Sequence, residues 1–182
     1  MSVDSREFRK TAGLFATGVV IVVTQIEEQV HAMTANAVSS LSLEPMMMLF
    51  CPSKRARWSQ HLPQMKRFTL NVLREEQQAL SSYFAGAWKD APAPPFRFVA
   101  SPAGPRLQGS LACIGCESER IIDAGDHWIV VGRVMSLHHG ISPQRPLLFF
   151  AGKYRALDAE QGKAAPDLSE TADEPPHIFY WH

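Results

Sequence analysis

Val19-Val20-Ile21-Val22-Val23-Thr24 is an unbroken, mostly β-branched run. It is too short for a buried helix and predicts a central strand. Upstream, Phe8, Ala12 and Phe15 recur at helical spacing behind Asp4-Ser5-Arg6-Glu7. That tetrapeptide has the form of a capping box, with Asp4 as N-cap and Glu7 reaching back. A short amphipathic helix stopped by Gly18 is expected. Glu27-Glu28-Gln29 turns the chain after the first strand, and Met46–Cys51 and Phe68–Leu73 read as further strands. The three methionines at 46–48 are expected to fill core. Glu75 to Ala85 reads as a helix with Leu80 and Phe84 on one side. Five of the 13 prolines fall between Gly86 and Gly109, which predicts a long irregular loop of the kind used as a lid or binding segment. Ser110–Ile122 and His127–Met135, joined by Asp123-Ala124-Gly125-Asp126, form a predicted hairpin, and Leu147–Phe150 a last strand. Many strands, few short helices and no strand-helix-strand alternation point to a mainly β, antiparallel barrel rather than a Rossmann domain.

One stretch breaks the apolar rhythm. From His31 to Leu43, Thr34, Asn36, Ser39, Ser40 and Ser42 sit among small apolar residues. Read as strand, Thr34, Asn36, Val38, Ser40 and Ser42 share one face. Short polar groups pack poorly as core. They suit a flat polar ligand, or equally an exposed Ser/Thr strand. After Pro52 comes a basic loop, Ser53-Lys54-Arg55-Ala56-Arg57, leading into a short helix through His61-Leu62. The forked donors of Arg55 and Arg57 match phosphate oxygens, although charged loops are commonly just solvated. His138-His139 has no visible partners and is expected to be exposed.

Composition narrows the function classes. At 182 residues with 46% hydrophobic and 20% charged residues, the chain suits one soluble domain. Its formal net charge of zero gives no bulk attraction to nucleic acid or membrane, so a phosphate would need local basic groups. No apolar run reaches the ~18 residues of a membrane span, and the polar start lacks signal-peptide character, so a cytoplasmic location is expected. Three cysteines fit a reducing compartment. Cys113-Ile114-Gly115-Cys116 falls on a predicted strand, where residues three apart face opposite sides. With no second pair to complete a zinc site, a structural role is expected and no metal. Gly-x-Gly-x-x-Gly and the phosphate-loop motif are both missing. Residues 158–182 carry Asp158, Glu160, Asp167, Glu170, Asp173 and Glu174 against Lys163, then end in Ile178-Phe179-Tyr180-Trp181. They read as an acidic tail on a domain spanning 1–157, its aromatic end docking on the body or a partner subunit.

Phe15-Ala16-Thr17-Gly18-Val19, Met33-Thr34-Ala35-Asn36-Ala37, Ser40-Leu41-Ser42-Leu43 and Asn71-Val72-Leu73 occur in a telling order. Gln77, Leu80-Ser81, Phe84-Ala85-Gly86, Gly125-Asp126-His127 and Leu148-Phe149-Phe150-Ala151-Gly152-Lys153-Tyr154 follow. Over roughly residues 8 to 157 the chain resembles the flavin reductase family, particularly the small reductase components of two-component flavin monooxygenases. The acidic tail departs from that pattern. The resemblance implies a split β-barrel with a few short flanking helices, normally a homodimer, that binds FMN or FAD and oxidises NADH or NADPH. Hydride then passes between cofactors, and reduced flavin serves a separate oxygenase. No catalytic side chain is required, since the chemistry belongs to the cofactors. The resemblance assigns Thr34, Ala35, Asn36, Ser39, Ser40, Ser53, Arg55, Arg57 and Phe84 to the flavin, and His127 and Tyr154 to the nicotinamide side. A lone histidine, or Tyr154, could equally be structural. Asn71 is expected to satisfy backbone groups inside the barrel. The alternative is a flavin-binding electron carrier or sensor without significant nicotinamide oxidation. An oxidase acting on a bound amine would want a stronger anion pocket than is visible.

Overall fold

The computed structural model describes residues 3–89, 92–140 and 145–157. Helix α1 (Ser5–Ala12) begins at Asp4, but the Asp4 carboxylate makes no capping bond. The helix ends at Gly13, short of the expected Gly18, and buries none of its side chains. Phe15 lies beyond it, exposed. The spacing of Phe8, Ala12 and Phe15 therefore does not mark a face turned to this chain's own core.

Strands β1 (Thr17–Gly18) and β2 (Val20–Ile26) follow. Val20 and Val22 enter one hydrophobic cluster, and Val19, Ile21 and Val23 the other. The β-branched run is thus buried on both faces, and it takes the expected place inside the sheet, between β3 and β6. The chain continues through β3 (Gln29–Ala35), β4 (Val38–Leu43) and β5 (Met46–Phe50). A 3-10 helix, Arg57–Gln64, precedes β6 (Arg67–Val72). A 3-10 turn at Glu75–Gln77 runs into α2 (Gln78–Phe84). The proline-rich segment contains β7 (Phe98–Val99) and β8 (Arg106–Leu107). The long hairpin β9 (Ala112–Ala124) and β10 (His127–His139) comes next, then β11 (Leu148–Phe150) and β12 (Lys153–Arg155).

Seven strands form one antiparallel sheet in the order β3-β2-β6-β9-β10-β5-β4. Its two edges, β3 and β4, are consecutive in the chain, joined only by Asn36 and Ala37. Three virtual bonds of 3.8 Å hold the Cα atoms of Ala35 and Val38 within about 11 Å. The sheet must therefore curl until its edges almost meet. The result is a split barrel whose seam stays open. His31–Leu43 is accordingly not one strand with a single polar face. It is two strands that lie across the seam without pairing. A register shift between Ser40 and Ser42 interrupts the alternation again.

Inside, Phe50 packs edge-on to Trp58 and Phe68, with centroids 5.7 and 5.0 Å away. Leu70, Cys116 and Val130 complete this side. On the other, Leu73, Leu80, Leu107 and Leu147 pack under β2 with Phe84, Phe149 and Tyr154 at the margin. Met47 is buried and Met48 packs on the first cluster, whereas Met46 is exposed, so the methionine run is core filling only in part. Asn71, fully buried, donates to the Ile21 carbonyl and accepts from the Leu107 amide, as expected. Residues 158–182, with the proposed docking of their aromatic end, lie outside the described residues.

Candidate functional site

The seam leaves β3 and β4 without a ladder partner on their facing sides. Along it, Asn36, Ser39 and Ser40 are exposed, and Ala35 is buried beneath. Thr34 Oγ1 donates to the Ser81 carbonyl at 2.7 Å, tying the end of β3 to α2. Asn36 Nδ2 reaches Thr17 Oγ1 at 3.2 Å, and Ser39 Oγ donates to the Ser40 carbonyl at 2.9 Å. The Cys51 amide donates to the Ala37 carbonyl, carrying the chain from the seam into the basic loop.

That loop is rigid by its own bonds. The Ser53 carbonyl accepts from Ser59 Oγ at 2.7 Å and from the Ala56 amide at 3.0 Å, and Ser53 Oγ accepts from the Arg55 amide. Its three cations divide. Lys54 Nζ lies 2.7 Å from both carboxylate oxygens of Asp123 and 4.8 Å from the centre of the Trp128 ring. Arg55 and Arg57 are exposed and, among the described residues, form no ion pair. Two forked donors thus stand on this loop outside any ion pair among the described residues. Lysine 54 instead holds the loop to the β9–β10 hairpin.

The hairpin tip is fastened at several further points. The Lys54 amide donates to the Asp126 carbonyl and the Trp128 amide to the Pro52 carbonyl, both at 2.9 Å, and Ser53 pairs with His127 in an antiparallel bridge. Gly125, at φ +67°, supplies the left-handed residue that the turn between them needs. Asp126 Oδ1 lies 2.7 Å from His127 Nδ1. The hydrogen bond and charge of His127, with Arg55 nearby, hold the Asp126 carboxyl below its ordinary pKa. With the Asp126 carboxylate at Nδ1, Nε2 of the half-exposed ring is the nitrogen with no hydrogen-bond partner among the described residues.

Sequence-predicted residues fall into two connected groups. Ser53, Arg55, Arg57 and His127 form one, joined through the Ser53–His127 bridge. Thr34 and Tyr154 form the other, joined through Ser81, whose Oγ lies 2.9 Å from the Tyr154 hydroxyl. Tyr154 also stacks edge-on against Phe149. Phe84 stands apart at the end of α2, among Tyr83, Phe96 and Phe98. Sequence reasoning gave no role to Ser81 or Lys54. Ser81 is a buried hydroxyl beside Leu80 on the inner face of α2, and that misplaced polarity was its signal.

Little at the site can form covalent bonds. Burial pushes the Cys113 thiol up to about 11 and Cys116 to about 12, and raises Cys51 as well. All three thiols stay protonated near neutrality. Among the described residues no cluster of three His, Cys, Asp or Glu side chains could hold a metal ion. The arrangement is built to bind. Unpartnered backbone and hydroxyls along the seam suit the carbonyls and polyol of a flat ring system, and the two free arginines suit its phosphate. These residues fit a flavin.

Comparison with known proteins agrees with this geometry. Residues 12–158 match the flavin reductase like domain. The reductase subunit HsaB of a flavin-dependent monooxygenase from Rhodococcus jostii is 39% identical over 166 residues, covering 91% of this chain and 84% of that protein. An NADH-dependent flavin reductase from a Rhodococcus species is 37% identical, over 82% of this chain and 85% of its own length. Among solved structures, the flavin reductase PheA2 superposes with a TM-score of 0.80 at 36% identity, covering 86% of this chain and 99% of PheA2. A split barrel with an anion-ready loop at its seam, matched over most of its length by reductases of one kind, places this chain in the flavin reductase family.

Proposed function

We propose that this protein is an NAD(P)H:flavin oxidoreductase that reduces FMN or FAD and supplies it to a separate monooxygenase component. The bridge between Ser53 and His127 carries the reading, because it fixes the basic loop and the half-exposed imidazole as one unit. A flavin held there would supply the redox chemistry, as the acceptor of the nicotinamide's hydride. The protein's residues bind and orient. Arg55 and Arg57 neutralise phosphate charge, the seam groups hold the ring edge, and His127 contacts the dinucleotide through Nε2. Holding two flat rings together replaces a bimolecular encounter with a positioned one.

His127→Ala is expected to raise KM for NADH more than it lowers kcat. Steady-state oxidation of NADH and NADPH with FMN, FAD and riboflavin tests the reading as a whole. No turnover with any combination leaves a flavin-binding carrier or sensor instead.

The working form is a cytoplasmic homodimer. Exposed Leu43, Met46, Met135 and Leu137 lie on β4, β5 and β10, which are neighbours in the sheet, and give an apolar face for a second copy. Light scattering should report a dimer that Leu137→Lys weakens. A monomeric parent protein would refute this assembly.

A further inference from the structure

Ser81 lies in the middle of α2 with none of its surface exposed, yet it bonds to both Thr34 and Tyr154. We propose that Ser81 is a positioning residue: it commits Thr34 to accept, and Tyr154 to donate, the hydrogen bonds that hold an amide-bearing ring. The proposal rests on the reductase reading and deepens it, because flavin and nicotinamide both carry amide N–H and C=O groups.

The assignment follows from where each hydrogen goes. A threonine hydroxyl has one hydrogen to give and lone pairs that accept. Thr34 Oγ1 gives that hydrogen to the Ser81 carbonyl at 2.7 Å. The Ala85 amide donates to the same carbonyl at 3.0 Å, so both of its lone pairs are taken. Toward a ligand, Thr34 Oγ1 is left as an acceptor. Thr34 is half-buried at the end of β3, two residues from exposed Asn36 on the seam.

Ser81 Oγ lies 2.9 Å from the Tyr154 hydroxyl, a distance at which either oxygen can donate. Burial decides between them. Ser81 Oγ has no other hydrogen-bond partner among the described residues, so accepting from Tyr154 would strand its own proton in the interior. A buried donor left unpaired is costly, whereas Tyr154 is only half-buried. Ser81 therefore donates, and the Tyr154 proton points away from it. Phe149, opposite Tyr154 in the β11–β12 register, packs edge-on to its ring at 5.5 Å and limits how far it turns. Tyr154 also packs on the apolar cluster of Leu73, Leu80, Leu107 and Leu147, which keeps water from competing for the Ser81 bond. One serine thus gives opposite polarity to two side chains that lie 47 and 73 residues away along the chain.

The test compares Ser81→Ala, Tyr154→Phe, their double variant and Thr34→Val in the full chain. Kd for FMN and FAD is read by flavin fluorescence, Kd for NAD+ by calorimetry, and KM for NADH by steady-state oxidation. Ser81→Ala and Tyr154→Phe should each weaken the same ligand about 3- to 10-fold, the scale of one net hydrogen bond. The double variant should be no weaker than either single one, since both break one path. If Tyr154 donates to the flavin, FMN and FAD lose affinity. If it donates to the nicotinamide, Kd for NAD+ and KM for NADH rise while the flavin constants hold. Thr34→Val should weaken flavin binding by a similar factor, and Thr34→Ser should keep it within about twofold of the parent. Losses that multiply in the double variant, or fall on different ligands, would overturn the proposal. So would a Ser81→Ala that lowers the urea midpoint and leaves every binding constant unchanged, which is the behaviour of a packing residue. Where circular dichroism shows Ser81→Ala misfolded, the other two variants decide, and unchanged binding in either one overturns the proposal. The reductase reading fails separately, through absent NADH oxidation in the parent protein.

Discussion

Asn71→Ala should cost stability out of proportion to the atoms removed. The side chain is fully buried on β6. Its Nδ2 donates to the Ile21 carbonyl and to Thr69 Oγ1, each at 3.0 Å, and its Oδ1 accepts from the Leu107 amide at 2.8 Å. Thr69 in turn donates to the Pro105 carbonyl at 2.6 Å, so the pair clasps the β7–β8 hairpin to the main sheet. Removing the amide leaves the buried Leu107 N–H without this acceptor, a cost of about 1–3 kcal/mol. Losing the donated bonds adds about 1 kcal/mol, giving about 2–4 kcal/mol in all. Urea denaturation of the parent, Asn71→Ala, Thr69→Val and the double variant would measure it. The two substitutions should couple by at least about 0.5 kcal/mol, as members of one network do. A loss below about 1 kcal/mol for Asn71→Ala, or strict additivity, would refute the clasp.

Gly132→Ala would place a Cβ 2.5 Å from Phe68 Cζ and 2.9 Å from Cys116 Cβ. It should destabilise by about 1–3 kcal/mol, relieved when Phe68→Leu is added, and unchanged thermal unfolding would contradict that packing. The two buried thiols predict alkaline weakening. Unfolded thiols ionise near 9, whereas Cys113 and Cys116 stay protonated to about 11 and 12. Between those values the unfolded state holds fewer protons, so stability falls as pH rises from 9 toward 11. Urea midpoints across that range should flatten in Cys113→Ala/Cys116→Ala, and an identical slope would exclude the thiols. Lys54→Met removes an ion pair to exposed Asp123 and a cation–π contact, together worth about 1 kcal/mol. Because Lys54 joins the two binding loops, flavin Kd and KM for NADH should rise together, about 2- to 5-fold. Independence of the two would refute the joint.

The parts of the fold written in local pattern were legible. The β2 run showed a central strand, and the Gly125 turn its hairpin. Leu80 and Phe84 were placed on one side of α2. Partner choice was not legible. Period-two alternation says which face a residue takes, but not which strand lies beside it, so two segments expected to turn and pair here instead form the two unpaired edges of the sheet. The shift between Ser40 and Ser42 adds a register change that composition does not announce. The three-residue strand around Tyr154 is too short to show a period. At the site, residue type brought out Arg55 and Arg57, and the Gly125-Asp126-His127 resemblance brought out His127. Only distant partners separated Lys54 from its neighbours, since Asp123 stands 69 residues away. Ser81 and Tyr154 were invisible as a pair for the same reason.

The Ser53–His127 bridge also dictates when the site can exist during synthesis. A nascent chain that has made β1 to β6 already contains every seam residue and both free arginines. It lacks the hairpin that fixes the basic loop, and β10 is also the strand that joins β5 to the rest of the sheet. Until His139 has left the ribosome, β4 and β5 have no body to attach to. Ligand capture therefore waits until β10 has been made, and fragments ending before β10 should fold neither half of the site.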